Sequence, residues 1–162
     1  MPVPRDIAEE VLENILSENF VPLFLHLTME LVNKMMEMMQ GPRPQIQISE
    51  FIEPLQLRKT KIKIKDMTVI YKTPPMTITT EWVYMDDNYR IRDLSYKPNW
   101  IWALLHYKTM KQVKEKMEAA RAQAEADAQQ AARLAEEKAQ AKLKAQAAAD
   151  AEQVTTSADS NS

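Results

Sequence analysis

The spacing of hydrophobic and polar residues changes twice along this chain. Up to about residue 40, apolar residues recur every three or four positions, as on one face of a helix. Between residues 45 and 96, β-branched and aromatic residues alternate with polar ones, as in strands. A helical pattern returns near residue 99. These changes predict an α+β fold with two N-terminal helices, a four-stranded antiparallel meander sheet and a long alanine-rich C-terminal helix.

The two N-terminal helices are expected within residues 6–40. Asp6 and Glu9 have the spacing of a capping box ahead of an apolar run. Pro22 would cost a helix interior about 3 kcal/mol, so the first helix should end or kink shortly before it. Because Pro22 suits the first turn of a helix, we predict the second helix over residues 22–40.

The predicted second helix is apolar over most of its circumference, with polar side chains in one narrow stripe. A helix of this kind must bury more than one side. A small sheet would not cover it all, which predicts a second contact, most simply with another copy of the chain. The alternative interpretation is an ordinary core helix. The residues predicted to make the second contact are Phe24, Leu27, Leu31, Met35, Met38 and Met39.

Turn signals divide the middle of the chain into four predicted strands. The strands are expected at residues 45–58, 61–72, 76–85 and 89–95. Aspartate and asparagine at positions 86–88 tolerate the backbone angles of a tight turn, which predicts a hairpin between the last two strands.

The apolar face changes parity within the second predicted strand. Ile62 and Ile64 occupy even positions, whereas Val69 and Tyr71 occupy odd ones. A β-bulge shifts the alternation by one residue, so we expect a bulge near Lys65–Asp66.

The C-terminal helix should begin near Asn99 or Trp100. Tryptophan is common where a helix packs against a sheet, which is the first interpretation of Trp100 and Trp102. Tryptophan is also enriched in the cores of protein interfaces, so both residues are candidate partner contacts. A membrane partner is not expected, because the N-terminus is acidic and an apolar run long enough to span a bilayer is missing from the sequence.

The helical pattern continues without a breaker to about residue 151. Its apolar heptad positions are filled at first and then degrade, which predicts a helix packed at its start and solvated or loosely associated later. We therefore divide the chain into an α+β domain at 1–118, an extended Ala/Glu/Lys/Gln-rich helix at 119–153 and a disordered tail at 154–162.

Charge is segregated along the chain although the net charge is only −2. Residues 1–40 hold two basic and seven acidic side chains, a net charge of −5. Residues 41–118 hold fourteen basic and nine acidic side chains, a net charge of +5. Such asymmetry bears on association rather than on fold.

A cluster of cations in the strand region is the main candidate for anion binding. Basic strands with nearby aromatics can bind single-stranded nucleic acid by phosphate attraction and base stacking. The alternatives are a solvated face that guards a strand against edge pairing, and pairing with the acidic N-terminal helix. The cations that would form this face are Lys59, Lys61, Lys63, Lys65, Arg90 and Arg92.

Composition excludes several common chemistries. The chain has no cysteine, which removes disulfides, thiolate nucleophiles and cysteine metal sites. Its one glycine, Gly41, excludes the glycine-rich phosphate loops. The tetrapeptide Tyr84-Met85-Asp86-Asp87 resembles the catalytic hairpin of reverse transcriptases, in which paired aspartates hold two metal ions. That resemblance covers four residues in a chain too short for a polymerase domain. A tight turn at Asp86-Asp87-Asn88 explains the two aspartates without further assumptions, so no metal site is predicted.

These observations predict a non-enzymatic structural or assembly protein without a cofactor. It would self-associate or dock into a larger complex, of which a virus particle is one compatible setting. The alternative is a nucleic-acid-binding module that uses the basic face. Without a basic signal-peptide region, the protein is expected to be soluble and either intracellular or part of an assembled particle.

Overall fold

The N-terminal helices pack on one face of an antiparallel sheet in the computed structural model, which describes residues 1–159. The helices are α1 (Arg5–Leu16), α2 (Phe20–Leu25), α3 (Met29–Met38), α4 (Ser49–Ile52), α5 (Trp100–Leu105) and α6 (Tyr107–Asp159). The strands are β1 (Lys61–Lys65), β2 (Thr68–Lys72), β3 (Met76–Met85) and β4 (Asn88–Pro98). The predicted α+β class is confirmed.

The sheet is an antiparallel meander in the order β1-β2-β3-β4, as predicted. The expected hairpin between β3 and β4 is also confirmed, since Met85 pairs with Asn88 across Asp86 and Asp87. Both aspartates have positive φ, 51° and 59°, as the two central residues of a type I′ turn require.

The four strands differ from the predicted ones at the start of the sheet. Residues 61–72 form two strands, β1 and β2, joined by a two-residue turn at Asp66–Met67. Asp66 has a φ of 50°, a left-handed conformation that aspartate tolerates. The bulge predicted near Lys65–Asp66 is therefore wrong. Because Lys65 pairs with Thr68, Ile62 lies opposite Tyr71 and Ile64 lies opposite Val69. Paired residues share a face of the sheet, so the chain reversal alone moves the apolar residues from even to odd positions.

A bulge does occur, but in the last hairpin. Glu81 pairs with Asp93 while Trp82 pairs with Ile91, which leaves Arg92 as the extra residue of β4. A bulge of this kind bends its strand and re-aims side chains.

The first predicted strand, residues 45–58, is wrong. This stretch instead contains α4 and a 3-10 turn at Leu57–Lys59. Phe51 and Ile52 are adjacent and both buried, at 8% and 6% exposure. Neighbouring residues of a strand would point to opposite faces, whereas a helical turn can bury both.

The predicted second helix is interrupted at residues 26–28. The backbone N–H of Ile91 donates to the His26 carbonyl at 2.6 Å, and the N–H of Thr28 donates to the Ile91 carbonyl at 3.0 Å. The Thr28 hydroxyl then caps α3 by accepting from the N–H of Leu31 at 3.3 Å. The helix breaks here because the free edge of β4 offers its hydrogen bonds to this connector.

The first helix begins one residue earlier than predicted, at Arg5. Pro4 occupies its N-cap position, and the expected capping box of Asp6 and Glu9 is not formed there, since α1 has no side-chain cap bond. The carboxylate of Glu9 instead accepts a hydrogen bond from Arg5 at 2.7 Å.

The C-terminal helix starts where predicted, because the Asn99 side chain accepts a hydrogen bond from the N–H of Trp102 at 3.3 Å. It is interrupted at His106, between α5 and α6. The imidazole of His106 stacks on Trp102 with 4.1 Å between ring centroids. Helix α6 continues to Asp159, past the predicted boundary at residue 153, and the rest of the predicted disordered tail, 160–162, lies outside the described residues.

The core lies between the sheet and the N-terminal helices. Inside it, Trp82 Nε1 donates to the Thr80 hydroxyl at 2.8 Å, and that hydroxyl donates to the Val69 carbonyl at 3.1 Å. The polar groups of Trp82 and Thr80 are thus paired, as burial in an apolar core requires. The core residues are Val3, Ala8, Val11, Leu27, Leu31, Val69, Tyr71, Trp82 and Ile91.

Up to Thr155, the buried and half-buried side chains of helix α6 lie in its first part. Val113 is buried and Ala120 and Ala124 are half-buried, on the seam that the heptad pattern predicted. Residues 38–46 and residues 117–128 line the same surface crevices. From Glu125 to Thr155 every side chain is exposed.

Candidate interaction surfaces

Helix α5 exposes four large apolar side chains on one side. Trp100, Ile101, Leu104 and Leu105 are between 74% and 77% exposed. Their spacing of i, i+1, i+4 and i+5 places them together on a helix, while Trp102 points the other way and is only 9% exposed. We call these four residues the α5 surface.

Exposed lysines precede and follow the α5 surface along the chain. Between residues 94 and 114 the chain has four lysines and no acidic residue. Lys97 lies just before α5, and Lys108 and Lys111 lie just after it, all exposed. The chain is therefore basic on both sides of this apolar surface, and we call the flanking lysines its rim.

Helix α2 also exposes four large apolar side chains on one side, but the charged residues near it in the sequence are acidic. Phe20, Val21, Phe24 and Leu25 have the same i, i+1, i+4, i+5 spacing and are 41%, 79%, 59% and 72% exposed. Leu23 turns inward and packs against the core. We call the four exposed residues the α2 surface.

Acidic residues of α1 lie close to α2. Residues 6–30 contain six acidic residues, with neither lysine nor arginine. Glu10 lies 3.8 Å from the His26 imidazole at the end of α2. Glu13 is exposed and lies three residues further along α1, on the same side as Glu10.

The residues predicted for a partner contact divide between the core and the surface. Leu27 and Leu31 are 8% and 4% exposed and belong to the core of the single chain. Met35 is partly buried against that core. They are internal because they face the core that α1 and the sheet also line. The predicted residues that stay exposed are Phe24, Met38, Met39 and Trp100.

The sequence-based choice missed most of the exposed apolar residues. Val21, Leu25, Ile101, Leu104 and Leu105 were not selected, although they are more exposed than Phe24. Local spacing could not have found them, because α2 and α5 are short helices only through the connector bound to β4 and the break at His106, which the sequence pattern does not show.

The basic residues of the sheet form a smaller face than predicted. Lys61, Lys63 and Lys65 are exposed on β1, opposite Ile62 and Ile64, which pack against the core. Register extends this face through Lys72, which pairs with Lys61, to Lys97 beside α5. We call these five lysines the lysine face.

The two arginines predicted for that face are paired with carboxylates. Arg92 Nη2 lies 3.1 Å from Glu81, and Arg90 Nη2 lies 3.8 Å from Asp86. Lys59, the remaining predicted cation, sits in the 3-10 turn before β1 and donates to the Gln56 side chain at 3.3 Å. Neither arginine is therefore as available to an external anion as the lysines of β1.

The aromatic residues of the sheet do not share the lysine face. Tyr71 and Trp82 point to the opposite side, into the core. Tyr84 and Tyr89 contact each other edge to face, with ring centroids 5.0 Å apart, at the far end of the last hairpin. The stacking platform that nucleic-acid binding was expected to use is therefore not assembled beside the lysines.

The paired aspartates of the Tyr-Met-Asp-Asp tetrapeptide form the β3–β4 turn. The Asn88 side chain closes that turn by donating to the Asp86 carbonyl at 3.1 Å. Within residues 1–159, no group of three or more His, Asp or Glu side chains is arranged to hold a metal ion.

Comparison with known proteins does not assign this chain to a family. No family model, curated protein sequence or solved structure that we compared with it gives a match. Among the helices of the described chain, none is both long and apolar enough to cross a membrane.

Proposed function

We propose that this protein is a non-enzymatic assembly component that associates with itself or docks into a larger complex through exposed apolar helices. The observation that carries the proposal is the pair of surfaces on α2 and α5, which leave eight large apolar side chains in water. Contiguous exposed apolar patches of this kind mark protein interaction sites.

The test compares the mass of the purified protein in solution with that of a surface variant. Light scattering across a range of concentrations should show that the native protein has a mass above that of one chain. If the partner is another protein, it should instead co-purify with the native protein. The double variant Leu104→Glu, Leu105→Glu should lose that mass or partner, because charge at the centre of an apolar interface must be desolvated.

A matched control uses the same substitution at isolated exposed leucines. Leu134 and Leu143 of α6 are 50% and 67% exposed but lie far from α5 along the helix. The variant Leu134→Glu, Leu143→Glu should therefore associate like the native protein. Association that is lost equally in both variants, or that is unaffected in the α5 variant, would contradict the proposal.

The second candidate function is binding of single-stranded nucleic acid by the lysine face. It is favoured by three exposed lysines that project from one side of β1. Affinity for an oligonucleotide should then fall steeply with salt and should drop for Lys61→Glu, Lys63→Glu, Lys65→Glu. The same three changes at Lys138, Lys142 and Lys144 of α6 are the control, and equal losses in the two variants would exclude a specific face.

A further inference from the structure

We infer that the α5 surface of one copy binds the α2 surface of a second copy. This inference rests on the proposed self-association and adds which surfaces meet. Within one chain both surfaces are exposed, so they do not cover each other. A second copy supplies the complementary surface without any further protein.

Charge decides which surfaces can pair. An α5–α5 contact would bring the Lys97, Lys108 and Lys111 side chains of two copies together. An α2–α2 contact would bring the Glu10 and Glu13 side chains of two copies together. Like charges facing each other across an interface disfavour binding, whereas opposite charges favour it and fix its register. The contact between unlike surfaces is the one in which lysines meet glutamates.

The two apolar centres also have the same size and spacing. Each surface presents four large side chains at the same spacing on a helix of six residues, Phe20 to Leu25 and Trp100 to Leu105. The α2 surface includes Phe20 and Phe24 and the α5 surface includes Trp100, and aromatic residues are enriched in protein interfaces. A stable interface buries about 800 Å² on each partner, so the charged rims must take part beside the apolar centres.

Mixing two defective variants tests this arrangement. The α5 variant Leu104→Glu, Leu105→Glu retains an intact α2 surface, and the α2 variant Phe24→Glu, Leu25→Glu retains an intact α5 surface. For each variant alone, the dissociation constant of self-association should rise by about tenfold or more, so each should be monomeric at concentrations at which the native protein associates. An equimolar mixture should form a dimer through the one remaining pair of intact surfaces.

Three results would overturn the inference. They are a mixture that stays monomeric, assembly that depends on only one of the two surfaces, and a native protein that is monomeric at every concentration. The last result would leave docking to another protein as the proposed function, since it removes only the second copy as the partner. Far-UV circular dichroism and the urea midpoint of each variant confirm that it is folded.

Charge reversal gives an independent second test that leaves the apolar centres unchanged. The variants Lys108→Glu, Lys111→Glu and Glu10→Lys, Glu13→Lys should each weaken self-association. Their mixture should form the dimer more tightly than either variant alone, because every α5–α2 contact in a mixed pair again joins opposite charges. Equal weakening in the mixture and in the separate variants would contradict an α5–α2 contact.

Discussion

Tyr71 shows at the scale of one residue how the helices and the sheet are joined. Its hydroxyl donates to the Ala8 carbonyl of α1 at 3.1 Å, across the buried interface between α1 and β2. Burial raises the pKa of this hydroxyl well above its ordinary value of 10.0. Because the neutral hydroxyl is favoured in the folded state, its contribution to stability is present below pH 10 and is lost as the pH rises further.

We therefore predict that the free energy of unfolding falls above about pH 10, and that Tyr71→Phe reduces this fall. At neutral pH the variant should also be less stable by about 1 kcal/mol, since the Ala8 carbonyl loses its partner. Urea unfolding from neutral to alkaline pH measures both effects. Tyr96→Phe, at a position 71% exposed, is the control. If the free energy of unfolding of Tyr71→Phe falls with pH as steeply as that of the native protein, the alkaline destabilisation comes from other groups.

At the scale of elements, the turn at Asp66–Met67 explains the main error in the predicted strands. Alternation fixes which residues share a face but cannot by itself distinguish a bulge from a tight reversal, because both change the parity of the apolar positions. The left-handed backbone of Asp66 and the pairing of β1 with β2 decide between them.

The conformation of this turn predicts opposite effects for two substitutions at Asp66. Asp66→Val should lower the free energy of unfolding by about 1–2 kcal/mol, because a β-branched residue is strained at positive φ. Asp66→Gly removes the same carboxylate without that strain and should be neutral or slightly stabilising. Urea unfolding measures both, and equal destabilisation would show that the carboxylate matters rather than the backbone angle.

Helix α6 is the element whose sequence and structure agree most closely. Alanine-rich composition predicted a long helix, and loss of large heptad residues predicted a solvated second half. The exposed side chains from Glu125 to Thr155 match that expectation. Two features differ from the prediction. The helix is interrupted at His106, whose ring stacks on Trp102, and it continues through residues 154–159, which were predicted to be disordered.

A chain that ends after Ala128 should therefore be as stable as the native protein. It loses helical circular dichroism, and none of residues 129–155 is buried, so its urea midpoint should not change. A chain that ends after Gln112 also loses the buried Val113 and should unfold at lower urea concentration. A lower midpoint for the longer version would show that the outer part of α6 contributes to the fold.

At the scale of the whole molecule, the segregation of charge predicts how association responds to salt. Raising the salt from about 0.1 M to about 1 M shortens the Debye length from about 10 Å to about 3 Å. Self-association through an α5–α2 contact should weaken over this range, because its lysine and glutamate rims are exposed. Sedimentation at several sodium chloride concentrations measures this. Stronger association at high salt would indicate an interface without the charged rims.

The sequence by itself determined the α+β class, the meander order, the last hairpin and the long C-terminal helix, because each depends on local spacing and turn chemistry. Only the tertiary structure decided which apolar residues are internal. Leu31 and Phe24 are both large and apolar on neighbouring helices, yet Leu31 lies in the core and Phe24 is 59% exposed. The connector bound to the edge of β4 makes this difference, since it fixes how α2 and α3 turn against the sheet. Burial of a given side chain is set by such long-range contacts, which local periodicity does not encode.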